Sequence, residues 1–168
     1  MPDKRIIEKA RRDKRAGKSP STQAGEFIHD EIKKIRRGRH GARNTKQAIA
    51  IGLSEARRAG VDLPPPKKGT TSKRTRRGAV YAYAVGQGKR KPRKRPRVAR
   101  AVTEALKREP RSTVSRRSLS RQAKAAAKRR GAASRSAAAR KAVRTKGATA
   151  RSAAARKAAR TRARNRKR

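Results

Sequence analysis

The side chains able to do chemistry in this chain are overwhelmingly cationic. Lys and Arg number 55 against 10 Asp and Glu in 168 residues, a net charge of +45. The densest stretch is residues 110–168, with 22 basic side chains and no acid. Such density suits phosphate, since duplex DNA carries one charge per ~1.7 Å and each neutralised phosphate releases counterions. Arg outnumbers Lys in this stretch, and its planar fork matches phosphate geometry better than a point charge does. The residues expected on the phosphate backbone are Lys91, Arg93, Lys94, Arg95 and Arg97 in the middle of the chain. In the tail they are Lys124, Lys128, Arg129, Arg130, Arg140, Lys141, Arg144, Arg156, Lys157, Arg160, Arg162 and Arg164. Full engagement of the tail would cover about 22 phosphates, roughly 11 base pairs. The bland alternative, a solvated run that only aids solubility, does not require so long a stretch without an acid.

Other chemistry is thinly represented. There is no Cys, so no disulfide, thiolate nucleophile or thiol metal site. His29 and His40 are the only histidines, and neither stands in a nucleophile or metal-ligand pattern. Gly86-Gln87-Gly88-Lys89 looks like part of a phosphate-binding loop, but Tyr83 occupies the position of the required first Gly. Glu26, Asp30, Lys33 and Lys34 follow helical spacing as surface pairs, and Glu31 and Glu55 suit ion pairs with Arg inside the fold. These features point to no enzyme, cofactor or metal. Arg95-Pro96-Arg97 is similar to the minor-groove AT-hook, although Lys94-Arg95 replaces the usual preceding Gly; a generic basic linker is the simpler reading. Asn44, Thr45 and Gln47 can read base edges from a recognition helix over residues 45–59, but the 38–44 loop is long for a helix-turn-helix, which favours a packing or protein-interaction role. No apolar run approaches the ~18 residues of a membrane span, and Met1-Pro2-Asp3-Lys4-Arg5 lacks an apolar signal region.

The elements that must position these groups divide by charge. Residues 1–63 hold 17 basic and 8 acidic side chains and 11 of the 19 Leu, Ile, Val and Phe residues. Asp3 caps a helix with Ile6, Ile7 and Ala10 that stops at Gly17. Ser19-Pro20-Ser21-Thr22 opens a second, carrying Ala24, Phe27, Ile28, Ile32 and Ile35 to Gly38. Asn44 with Gln47 opens a third, in which Ala48, Ile49, Ile51, Leu53 and Ala56 run to Gly60. Leu63-Pro64-Pro65-Pro66 is a stiff break. Residues 64–109 form a basic linker holding a short strand over residues 79–85, with Tyr81 and Tyr83 on one face, and a short helix from Val98 to about Arg108. Residues 110–168 contain a repeat of period 16: Ser136–Gly147 returns as Ser152–Ala163, with a weaker copy over Ser120–Gly131. Val114, Leu119 and Val143 are the only large apolar groups there.

The segment Asn44-Thr-Lys-Gln-Ala-Ile-Ala-Ile-Gly-Leu-Ser-Glu-Ala-Arg-Arg58, with Glu26-Phe27-Ile28-His29 before it, resembles a family of small basic bacterial proteins of unknown function. The likeness covers about residues 19–66 and implies a bacterial source, with no activity attached. The tail resembles linker-histone-like bacterial proteins, which are rich in Ala, Lys and Arg and bind DNA.

With large apolar side chains so scarce and charge so high, burial falls short of the entropy of ordering. The expected architecture is therefore mostly disordered. A small all-α N-terminal unit, a helical hairpin over about 22–59 or three helices, precedes a basic low-complexity tail that becomes helical on binding. The expected function is non-catalytic, largely sequence-independent DNA binding by phosphate neutralisation and compaction, in the cytoplasm at the nucleoid. An RNA-binding or ribosome-associated protein and a protein-interaction module anchored by its tail are the alternatives. No small-molecule substrate or membrane partner is implied.

Overall fold

A computed structural model describes residues 3–166, without the side chains of Thr145 and Lys146. Met1 and Pro2 of the first segment, Lys167 and Arg168 of the tail, and those two repeat side chains thus lie outside the described residues. The chain is all-α, with no strand among the described residues. The helices are α1 (Lys4–Arg15), α2 (Pro20–Arg36), α3 (Thr45–Arg58), α4 (Lys73–Gly86), α5 (Pro96–Lys107), α6 (Arg116–Arg129) and α7 (Gly131–Arg166), with a 3-10 turn at Ser112–Val114. They fall into two compact units, Met1–Gln122 and Ala123–Arg168, where composition had suggested boundaries near residues 63 and 109.

Local signals set the first three helices. Asp3 accepts from the Arg5 amide at 3.0 Å, and Asn44 from the Gln47 amide at 2.9 Å. The Gln47 side chain reaches back to the Arg43 amide at 2.7 Å, one residue further than in a regular capping box. Ser19 is the N-cap residue of α2, but its hydroxyl bonds to those of Ser21 and Thr22 and not to the helix. Gly17, Gly38 and Gly60 follow the helix ends with φ of 68°, 77° and 87°.

Two small cores hang on α2. Toward its start, Ala24 and Phe27 meet Ala10, Ala56 and Val61. Toward its end, Ile35 meets Ala42, Ala48 and Val114. Small residues let the backbones approach. A Cβ on Gly52 would lie 2.7 Å from the Ile28 Cα, so α3 seats directly on α2.

Three expectations are corrected here. The chain is not mostly disordered: the described residues form helices, and those up to Gln122 enclose a core. The predicted strand over residues 79–85 is the body of α4. Ala79 and Ala82 are its buried residues and Gly86 abuts the Arg57 carbonyl, so its packing period is helical and its apolar face is built of small residues. Ser72 caps it, accepting from the Thr75 amide at 3.2 Å. Nor is the tail a structureless low-complexity segment that waits for a ligand: it is helical in the chain alone, as the propensity of Ala, Arg and Lys allows. Close like charges cost only about 0.2–0.5 kcal/mol per pair.

Residues 106–114 strap the hairpin. The Gly41 amide donates to the Leu106 carbonyl at 2.7 Å and the Ala42 amide to the Pro110 carbonyl at 3.2 Å. Thr45 Oγ1 donates to the Thr113 carbonyl at 2.6 Å. Arg36 sets Nε and Nη2 on the Val114 carbonyl at 3.1 and 2.9 Å, and the Val114 side chain is fully buried.

Helix α2 also carries a buried carboxylate. Glu31 is 1% exposed, and its Oε1 has no hydrogen-bond partner. It lies 3.6 Å from His40 Nε2, while His40 Nδ1 is 3.0 Å from the Gly41 carbonyl. A carbonyl only accepts, so Nδ1 carries the proton and a neutral ring turns a lone pair toward Glu31. Glu31 and Glu55 thus do not pair with Arg: Glu55 meets Lys34 at 3.4 Å, and Lys34 also holds Asp30 at 2.8 Å.

Two outcomes follow. Gly52→Ala pushes α3 off the Ile28 backbone and costs about 1–3 kcal/mol, measured by urea unfolding. Burial, the largest influence, raises the Glu31 carboxyl above its ordinary range; the Glu55 and Asp30 charges add to this, while His40 and Lys34 oppose it. The fold therefore prefers the protonated form. That stabilising share is complete below the ordinary carboxylate pKa and is lost as pH rises through the raised value. Glu31→Gln removes the dependence, so its stability relative to the wild type is lowest in acid and rises toward neutral pH, by about 1 kcal/mol. A pH-independent difference between the two melting curves contradicts this.

Candidate nucleic-acid interface

Ordinary helix chemistry positions the basic groups. Lys91, Arg93, Lys94 and Arg95 lie in the segment between α4 and α5, and Arg97 stands in the first turn of α5. Lys124, Lys128 and Arg129 are on α6, and Arg130 precedes Gly131. Arg140, Lys141, Arg144, Arg156, Lys157, Arg160, Arg162 and Arg164 are on α7. All are exposed.

The middle run is held by α4. Tyr81 Oη accepts from the Arg93 amide at 2.7 Å, and the Arg90 guanidinium stacks 5.2 Å from the Tyr81 ring centre. An amide that would otherwise be free to the solvent is thereby tied to a helix. The proline-broken run is therefore presented from a fixed point, with its cationic side chains outward. Gly86-Gln87-Gly88-Lys89 proves to be the C-terminal end of α4, where carbonyls, not amides, face outward, so it holds no phosphate loop.

On the tail helices the cations recur at i, i+4: Lys124 with Lys128, Arg140 with Arg144, and Arg156 with Arg160 and Arg164. This spacing puts each set on one helical face. Ala153, Arg156, Lys157 and Arg160 border a shallow concavity of about 530 Å³. No acidic residue occurs after Glu109, so no carboxylate within the second unit's described residues competes with an outside anion.

Sequence reasoning passed over a second basic group, in the first unit. Lys68, Lys73, Arg76 and Arg77 line a cavity of about 390 Å³ with Gly69 and Thr71. Arg76 Nε is buried without a hydrogen-bond partner. The run Lys73-Arg74-Thr75-Arg76-Arg77 was its sequence signal, hidden because the stretch read as linker and not as the opening turns of a helix. The other predicted groups are not gathered into a site. His29 and His40 stand apart from any metal-ligating cluster, and none exists among the described residues. No helix among the described residues is long and apolar enough to cross a membrane.

Residues 11–68 match a protein family described as a family of unknown function, DUF6496. The match runs from α1 to the loop before α4. Comparison with curated proteins and with solved structures yielded no match.

The Tyr81 contact gives a direct expectation. Tyr81→Phe removes the acceptor of the Arg93 amide but keeps the ring under Arg90. Global stability falls by less than about 1.5 kcal/mol, while the Arg93 amide loses its protection in hydrogen exchange. Equal exchange rates in the two proteins would show that this bond does not hold the segment.

Proposed function

We propose that the protein is a non-catalytic binder of duplex DNA that works by neutralising phosphates, without base readout, and compacts the nucleoid. The observation that carries this reading is the run of exposed basic helices after Glu109 with no acid among them. Charge of one sign on helices has to be compensated from outside, and a phosphate polymer does so with a large gain from released counterions. Because the tail is already helical, contact with phosphate need not carry the full entropy cost of ordering a disordered segment.

The aromatic residues favour a duplex over unpaired strands. Phe27 is 1% exposed, Tyr81 is covered by Arg90, and Tyr83 Oη donates to Asp62 at 2.6 Å. Single-strand binders stack bases on free aromatic faces, and none of this chain's three aromatic side chains is fully exposed.

A salt titration of binding to mixed-sequence duplex DNA is the test. Affinity falls linearly on a log–log plot against salt, by about 0.9 per phosphate contact. Replacing Arg140, Arg144, Arg156 and Arg160 together with Ala makes the slope shallower by about 3–4, with little change across DNA sequences. Affinity that ignores salt, or structured RNA that outcompetes duplex DNA at matched salt, rejects the reading.

A further inference from the structure

The tail repeat and the tail backbone have the same period. Gly131 and Gly147 both take a positive φ, 71° and 66°, and they are sixteen residues apart. Gly147 breaks α7 into two helical stretches, with ψ of 171°. Each glycine is followed by the same closure: Arg135 Nε donates to the Gly131 carbonyl at 3.3 Å, and Arg151 Nε to the Gly147 carbonyl at 3.1 Å. A Cβ on either glycine would meet nothing within 4 Å. Glycine is therefore required there by backbone conformation and not by space. The two strong copies thus each fall in a helical stretch that opens at a glycine, Gly131 or Gly147.

The joints matter because of helical phase. At about 100° per residue, sixteen residues advance a helix by four turns and a further ~160°. In an unbroken helix, Arg156 and Arg160 would face almost opposite to Arg140 and Arg144, their counterparts one repeat earlier. One polyanion could not then be met by both sets. A repeat of eighteen residues, five whole turns, would keep them aligned without a joint.

We propose that Gly131 and Gly147 are phase-resetting joints, which let successive modules turn the same basic face to one continuous phosphate polymer. The positions served are Lys124, Arg140 and Arg156 in one register and Lys128, Arg144 and Arg160 in the other. The proposal rests on the reading of the tail as a duplex-binding element, and it specifies a ligand long enough to span more than one module, not an isolated phosphate. An isolated anion would need only one module and would be indifferent to phase.

The test uses the full chain, a mixed-sequence DNA duplex and two variants. In Gly147→Ala, a positive φ with ψ near 180° is a conformation that alanine disfavours, and helix is favoured instead, so the two stretches merge out of phase. In the second variant the same substitution is combined with two alanines inserted after position 147, which brings the spacing to eighteen. Neither changes a charge. Gly147→Ala should show unchanged or higher helix content by circular dichroism and a salt slope shallower by about three to four, as contacts of the last module are lost. The two-alanine variant should recover the wild-type slope. A Gly147→Ala slope equal to that of the wild type overturns the proposal, and so does a two-alanine variant that binds no better than Gly147→Ala. If the wild type fails to bind duplex DNA at low salt, the functional reading itself is wrong, and the phase argument falls with it.

Discussion

The unit up to Gln122 depends on how closely its backbones approach. With few large aliphatic side chains, a core forms only where small residues bring main chains nearly into contact, so that dispersion and backbone hydrogen bonds replace bulky side-chain burial. Gly52 against Ile28 does this between α2 and α3, and Gly86 against Arg57 between α3 and α4. Gly41 does it again, lying where a Cβ would meet the Glu109 carbonyl, and its amide is thereby free to bond the Leu106 carbonyl. Once the strap is seated, Val114 closes the second core and Arg36 fixes its carbonyl. A residue that by position belongs to the charged tail is in this way part of the head.

These contacts explain what the sequence disclosed and what it hid. The first three helices were legible because capping residues, apolar spacing and terminal glycines agree: Asp3, Asn44 and Gln47 at the starts, Gly17, Gly38 and Gly60 at the ends. The helix expected from Val98 is found as Pro96–Lys107. α4 was hidden because its buried residues, Ala79 and Ala82, are small, while alternating Tyr81 and Tyr83 imitate a strand. The role of Val114 was hidden because its partners, Ile35, Ala42 and Ala48, lie some seventy residues away, and local pattern carries no such information. The expectation of disorder failed on the same ground: a count of large side chains undervalues packing by alanine and glycine and the propensity of Ala-rich helices.

Of the candidate interface, composition disclosed the basic tail and the run at residues 91–97. It did not disclose what holds the run, because a tyrosine hydroxyl accepting one backbone amide leaves no periodic trace. Nor did it reveal the group around Arg76, whose cations meet only once residues 73–77 coil into the start of α4. A sixteen-residue repeat, by contrast, is visible in one dimension, and its meaning appears when the glycines at its boundaries are found outside helical geometry.

Charge bookkeeping links the two units. Most acids are committed to the fold. Asp3 caps α1; Asp13, Glu26, Asp30, Glu55 and Glu104 pair with lysines; Glu31 faces His40 and Asp62 holds Tyr83. Carboxylates placed in this way stabilise the first unit itself. On the proposed reading the segregation is useful, since an acidic group inside a phosphate-binding helix would cancel a contact and weaken counterion release, whereas the same group near a cap or a lysine in the first unit stabilises structure. The first unit needs both signs to fix its helices, and the acid-free composition of the tail is what the proposed duplex-binding reading rests on.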